Sequence, residues 1–288
     1  SDLSEAEARA ARIADNKTAE SDWDDDLLAT EMELLEESDI SLEASAFDND
    51  EFDDLMDSVE DEPLELSEDE TDIDGVEDLD ILNLYAGIGG NRKLWGDGSD
   101  VTAVEWNETI AEAYQDFYPE DEVVVADAHE YLLEHFEEYD FIWTSPPCPT
   151  HSRMRKNLAV ETGAEPVYPD MKLYQEVLLL DGYFEGKWIV ENVDPWYDPL
   201  IEPQESGRHM FWANFDVPEL DAREEIKNVM DNYDADKQAQ ECGYDPDKLR
   251  EYDFPSDYPR EKVINNMVYP EVGKSIIEAA VEDMTSEG

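Results

Sequence analysis

Six short apolar runs punctuate residues 79–215: LDILNLY (79–85), VTAVE (101–105), EVVVAD (122–127), YDFIWTS (139–145), KWIVEN (187–192) and HMFWANF (209–215). Each is too short for a core helix and rich in Val, Ile or aromatic residues, so each reads as a strand. Between them, NETIAEAYQDFY and DMKLYQEVLLLDGYF repeat apolar positions at helical spacing, and a further helical stretch is expected after AGIGGN. Strands alternating with helices predict an α/β fold built on a mostly parallel sheet. VGKSIIEAAVEDM near the end predicts an amphipathic helix with Ile276, Ile277 and Ala280 on its buried face. Residues 216–262 are acidic, carry Tyr, Asp and Pro without periodicity, and read as an insertion or small second lobe. Residues 1–78 are mostly Asp, Glu, Ser and Ala, a composition that predicts a disordered acidic tail. Within it, DDLLATEMELLEE sets Leu28, Met32 and Leu35 at helical spacing. That segment reads first as a local helix in a solvated tail, and second as an element that docks on a protein partner. The expected division is therefore 1–78 tail, 79–215 main domain, 216–262 insertion and 263–288 a segment completing the main domain.

Charge changes this picture. The 288 residues hold 79 acids and 19 Lys and Arg, a net charge of −60. Residues 1–80 carry 33 acids and 3 bases, and the remainder 46 and 16, so tail and domain each contribute −30. Such self-repulsion opposes a compact state at ordinary salt. At about 1 M salt the Debye length falls to roughly 3 Å and the repulsion is screened. The balance is that expected of a protein working in a high-salt cytoplasm, that of a halophile or of the host of a halophilic virus; an acidic low-salt protein with an interaction tail is the alternative. Two cysteines, Cys148 and Cys242, exclude a disulfide framework. Cys148-x-x-His151 offers too few partners for zinc, so no metal is expected. No apolar run is long enough to span a membrane and no apolar leader core opens the chain.

In an open parallel sheet, ligands bind beyond the carboxyl ends of the strands. After the first strand stand Tyr85, Ala86, Gly87, Ile88, Gly89 and Gly90, whose glycines permit a tight turn and close approach to a ligand. Glu105 and Trp106 follow the second strand, Asp127 and Ala128 the third, Ser145-Pro146-Pro147-Cys148 the fourth, and Glu191-Asn192 the fifth. In so acidic a chain any one of these acids is ordinarily solvated surface; their coincidence at successive strand ends suits a nucleoside ligand. Two prolines stiffen the approach to Cys148. Arg153, Arg155 and Lys156 beyond it favour a thiolate and a phosphate alike. Arg92 and Lys93 are further candidate phosphate contacts, evenly balanced against ordinary surface bases.

Taken together, these motifs resemble the DNA cytosine carbon-5 methyltransferases over roughly residues 80–215 and 262–281. LNLYAGIGGN is similar to that family's cofactor loop, VEWNE to its ribose-binding motif, SPPC to its catalytic Pro-Cys loop, ENV to its Glu-Asn-Val, and NNMVYPEVGKSI to its last motif. The resemblance implies a Rossmann-like S-adenosylmethionine-dependent methyltransferase fold acting on double-stranded DNA. It implies Cys148 as nucleophile, with Glu191 and Arg208 acting on the base. Residues 85–90, Glu105, Trp106, Asp127, Ala128, Pro147, Asn266 and Val268 would hold the cofactor, and 216–262 would recognise the target. Pro149 stands where the family has Gln, and only Arg208 matches its arginine motif. An exocyclic-amino methyltransferase lacks its aromatic at Cys148 and leaves Glu191 idle. A catalytically dead binding module leaves both Cys148 and Glu191 unexplained, and the glycine spacing disfavours a nicotinamide oxidoreductase.

Overall fold

The computed structural model describes residues 73, 75–76, 79–96, 98–153, 167–207, 209–220, 235–256 and 258–286. Within them, strands β1 (Asp80–Leu84), β2 (Asp100–Glu105), β3 (Glu122–Val125), β4 (Phe141–Thr144), β5 (Lys187–Val193), β6 (Gln204–Ser206) and β7 (His209–Ala213) form one sheet in the order β3-β2-β1-β4-β5-β7-β6. Strands β1 to β5 pair in parallel; β7 lies antiparallel between β5 and β6. All six predicted strands are present. β6 was not legible, because its sequence, Gln-Glu-Ser, is polar and only Ser206 is buried.

Helices α1 (Glu108–Phe117), α2 (Ala128–His135) and α3 (Lys172–Tyr183) connect the parallel strands. Helices α4 (Ala235–Glu241), α5 (Pro246–Leu249), α6 (Arg260–Asn265) and α7 (Pro270–Ser286) follow the sheet. The order and the single antiparallel strand are those of the Rossmann-like S-adenosylmethionine-dependent methyltransferase fold.

Side chains alternate across the sheet with the period of two that strands impose. Ile81, Phe141, Trp143, Ile189 and Phe211 join one cluster with Ile276, Ile277 and Ala280 of α7, as their helical spacing predicts. Leu82, Leu84, Ile142, Trp188 and Val190 join a second cluster with Leu132 of α2 and Leu173, Val177 and Leu180 of α3. Burial on both faces is why these strands read as continuous apolar runs. Val76 also lies in the first cluster, so packing begins before residue 79.

Two regions differ from expectation. The stretch after β1 is not a helix but a chain of turns closed by i to i+3 hydrogen bonds such as Gly89 N–H to Ala86 O and Arg92 N–H to Gly89 O. Close packing dictates this. A Cβ on Gly90 would lie 2.2 Å from the Val268 carbonyl oxygen, and one on Gly273 would lie 2.0 Å from that of Asn91. Among residues 235–265, α4, α5 and α6 are helical, and Ala239, Cys242, Tyr244, Leu249 and Ile264 pack with Ile88, Ile110 and Ala113. Those helices are too short to display a period.

Candidate active site

The strand order reverses between β1 and β4, the switch point where a ligand crevice forms. Each side of this crevice is built from residues singled out in the sequence. On the β1 side, Tyr85 leaves the strand with φ 56°, and Gly87 and Gly89 also have positive φ. Space is unequal along this loop. A Cβ on Gly89 would meet the Tyr118 and Tyr114 rings within 3 Å, whereas one on Gly87 would meet nothing within 4 Å. Gly87 therefore borders open space, while Gly89 and Gly90 are closed behind by protein.

Glu105, at the end of β2, is buried; one carboxylate oxygen accepts from Gly87 N–H at 3.1 Å and the other from Asn107 N–H at 3.0 Å. Burial pushes its pKa up, against these amides, which favour the ionised form. Next to it the Trp106 ring is 59% exposed, a free apolar face. Asp127 caps α2, accepting from His129 and Glu130 N–H, and its other oxygen pairs with Lys172 Nζ at 3.2 Å. Burial works against that carboxylate, but the helix amides and Lys172 outweigh it and hold its pKa down. Asn266 donates to the Tyr258 hydroxyl at 2.7 Å, and Met267 and Val268 press on Gly90. Burial pushes up the pKa of Tyr258, against the Asn266 hydrogen bond, which lowers it, and the charges of Glu105 and Cys148 add to the rise. The sequence offered no sign of Tyr258. A glycine bordering open space, a carboxylate with its orientation locked and an exposed indole fit S-adenosylmethionine, whose ribose hydroxyls need an acceptor and whose adenine needs a flat apolar neighbour.

On the β4 side, Pro146 and Pro147 lead into a 3-10 turn, Cys148–Thr150, with Cys148 half-buried and not in a disulfide. Asn192 Nδ2 donates to the Pro146 carbonyl oxygen at 2.9 Å, tying the end of β5 to this loop. The residues after Cys148 are clamped by the chain that follows Glu-Asn-Val. Trp196 N–H and indole N–H donate to the His151 and Thr150 carbonyl oxygens, and Arg153 Nε donates to Pro195 O. His151 is 1% exposed, with Nδ1 2.6 Å from the Tyr197 hydroxyl and Nε2 without a hydrogen-bond partner. Burial lowers its pKa, and it cannot reach a phosphate. Glu191 is buried with one oxygen 2.5 Å from Nδ1 of His209, which lies across the β5–β7 pair.

Other candidate bases separate. Arg92 is buried and bidentate to Asp121, at 3.0 Å for both Nε and NH2, with NH1 on Gly96 O at 2.7 Å; it is a structural residue and not a phosphate contact. Lys93 lies over the Tyr244 ring, 4.8 Å from its centroid. Arg153 reaches the surface and pairs with Asp194 at 2.9 Å. Arg155, Lys156, Arg208 and the DDLLATEMELLEE segment of the tail lie outside the described residues. No helix among the described residues is long and apolar enough to cross a membrane.

Sequence reasoning also missed Glu176, which is fully buried on α3 and bonded to Tyr85, His129 and Thr144. Its signal was an acid on the apolar face formed by Leu173, Val177 and Leu180.

Residues 79–193 match the family model described as C-5 cytosine-specific DNA methylase. A comparison with curated proteins found no match. Among solved structures, the chain is similar to a DNMT2 mutant from Spodoptera frugiperda (24% identity, 40% of this chain and 35% of that one, TM-score 0.28). It is also similar to the methyltransferase EhMeth from Entamoeba histolytica (11%, 72% and 98%, 0.42). A third is a SAM-dependent methyltransferase from Agrobacterium tumefaciens (16%, 41% and 40%, 0.31). The chain thus spans well under half of the Spodoptera and Agrobacterium proteins.

Proposed function

We propose that this chain methylates carbon 5 of a cytosine flipped out of duplex DNA, through a covalent bond to Cys148 and with S-adenosylmethionine as methyl donor; the match of residues 79–193 to the C-5 cytosine-specific DNA methylase model supports this reading. The single observation that carries this reading is the Asn192–Pro146 hydrogen bond, which joins the strand of Glu191 to the loop of Cys148 at the switch point. S-adenosylmethionine, when bound, would supply an electrophilic methyl group, and the Gly87 loop and Glu105 would hold it.

Carbon 5 of cytosine is a weak nucleophile. The Cys148 thiolate attacks carbon 6, forming a C–S bond and moving an electron pair toward carbon 5 and ring nitrogen N3. Glu191 stabilises that charge by giving or sharing a proton at N3. His209, on its other side, holds the carboxyl in place and is a route for the proton. After methyl transfer to carbon 5, a base or water takes the carbon-5 proton, the C–S electron pair leaves with sulfur, and the thiolate is restored. Flipping costs a few kcal/mol.

On this reading Arg208 acts beside Glu191, and Tyr85 to Gly90, Glu105, Trp106, Asp127, Ala128, Pro147, Asn266 and Val268 form the cofactor pocket. Arg153, Arg155 and Lys156 meet DNA phosphates, and residues 216–262 carry target recognition. A chain of net charge −60 meets DNA most easily in molar KCl, where repulsion is screened and little of the affinity comes from counterion release.

The test is incubation with a 5-fluorocytosine duplex and S-adenosylmethionine in molar KCl. A covalent complex is expected, and Cys148→Ser abolishes it. An adduct that survives this substitution, or methyl product on the exocyclic nitrogen, overturns the reading.

A further inference from the structure

We propose that the buried carboxylate of Glu176 is a positioning residue that sets the cofactor loop and the catalytic strand against each other. Three elements converge on it. The Tyr85 hydroxyl, at the end of β1, donates to Oε1 at 2.7 Å. Nδ1 of His129, in the first turn of α2 just beyond Asp127, lies 2.9 Å from the same oxygen. The Thr144 hydroxyl, at the end of β4 and four residues before Cys148, donates to Oε2 at 2.7 Å. Glu176 and Thr144 have no exposed surface, and His129 is buried.

Packing alone does not account for this arrangement. Burying a carboxylate is unfavourable unless it is paired and its oxygens are bonded, and an apolar side chain of similar volume commonly serves the core as well or better. Glu176 shares the buried face of α3 with the apolar Leu173, Val177 and Leu180, but an apolar residue at 176 would leave the Tyr85 and Thr144 hydroxyls without their partner. What the carboxylate adds is direction. Tyr85 is the one non-glycine with positive φ among the described residues, a conformation that persists only where the surroundings hold it. The phenol–carboxylate bond anchors the ring and so the exit angle of the chain into Ala86 and Gly87. The Thr144 bond holds the other wall of the crevice to the same atom group. The hydrogen bond to the Glu176 carboxylate is the main influence raising the pKa of His129, and it favours the imidazolium form.

The proposal has two arms, and only the second rests on Cys148 as nucleophile. Glu176→Gln is expected to weaken S-adenosylhomocysteine binding, read by calorimetry, and to slow adduct formation on a 5-fluorocytosine duplex at saturating cofactor. Each effect should be about tenfold, as for loss of one hydrogen bond to a charged group. Tyr85→Phe should reproduce the loss of cofactor affinity, and Thr144→Val the slower adduct. These two variants each remove one hydroxyl, so they test the arms even if Glu176→Gln does not fold. Unchanged affinity in Tyr85→Phe, or an unchanged adduct rate in Thr144→Val, overturns the corresponding arm. A Glu176→Gln protein that differs only in melting temperature overturns the whole proposal. Wild-type protein that forms no adduct overturns the nucleophile reading instead, and calorimetry then still decides the Tyr85 arm.

Discussion

Arg92 and Arg153 stand in similar places in the sequence, each a few residues beyond a strand-end loop, and the fold gives them opposite situations. Arg92 lies behind the glycine loop at 5% exposure, with Asp121 and the Gly96 carbonyl oxygen taking its N–H groups. Arg153 holds its exposed guanidinium to Asp194 and its Nε to the Pro195 carbonyl oxygen. The first is enclosed behind the glycine loop; the second lies at the surface, five residues beyond Cys148. The contrast teaches that a base near a motif takes its role from the dielectric around it. Buried, its partner is indispensable; exposed, its partner can be exchanged for a phosphate or water.

The sharpest way to break this comparison is to remove each partner. Asp121→Ala leaves a buried guanidinium uncompensated and should cost about 3–5 kcal/mol of unfolding free energy. Asp194→Ala should cost under about 1 kcal/mol. Denaturant titration in molar KCl reads both, and equal losses would erase the distinction. A smaller effect separates the front and back of the glycine loop. Gly90→Ala drives a methyl into Val268 and should destabilise the domain by about 1–3 kcal/mol. Gly87→Ala has space, so its cost is the left-handed backbone alone, about 1–2 kcal/mol; its larger effect should be on cofactor affinity, measured by calorimetry.

The smallest effect is a pH dependence at Glu105. Burial raises its pKa in the folded state, so its contribution to stability of the cofactor-free domain is present at low pH and lost as pH rises through the folded pKa. Cofactor binding has the opposite sign, because ribose hydroxyls donate to the ionised form. Affinity should fall as pH drops through that same pKa, by at most about tenfold per pH unit. In Glu105→Gln the slope should vanish. Melting temperature and calorimetric affinity against pH check the two signs, and slopes of the same sign would remove Glu105 from the cofactor site.

Much of the fold could be read in advance, and the boundary between what was legible and what was not has a physical basis. Ile81, Leu82 and Leu84, or Phe141, Ile142 and Trp143, are apolar because both faces of a central parallel strand are covered, so local pattern sufficed. The α7 face of Ile276, Ile277 and Ala280 followed from the helical period. Helices α4 to α6 did not, since four to seven residues span only one or two turns, too few repeats to reveal a period. The turns after β1 did not either, because Asn91 and Gly90 take that path only when Gly273 and Met267 press against them. His151, which the sequence left without a role, is buried against Tyr197, a contact across 46 residues.

From its sequence alone, this protein already determined the strand order of chemistry: a glycine loop, a ribose-suited acid, a Pro-Pro-Cys turn and a Glu-Asn-Val, each at a strand end. Local propensity and the period of burial act over a few residues, so they are written locally. Only the tertiary structure decided which charged groups are buried and with whom. The Arg92–Asp121 pair, the Glu191–His209 pair and the Glu176 hub each join residues from separate elements, 91 positions apart for Tyr85 and Glu176. The worth of such bonds depends on desolvation that no short stretch of chain can produce by itself.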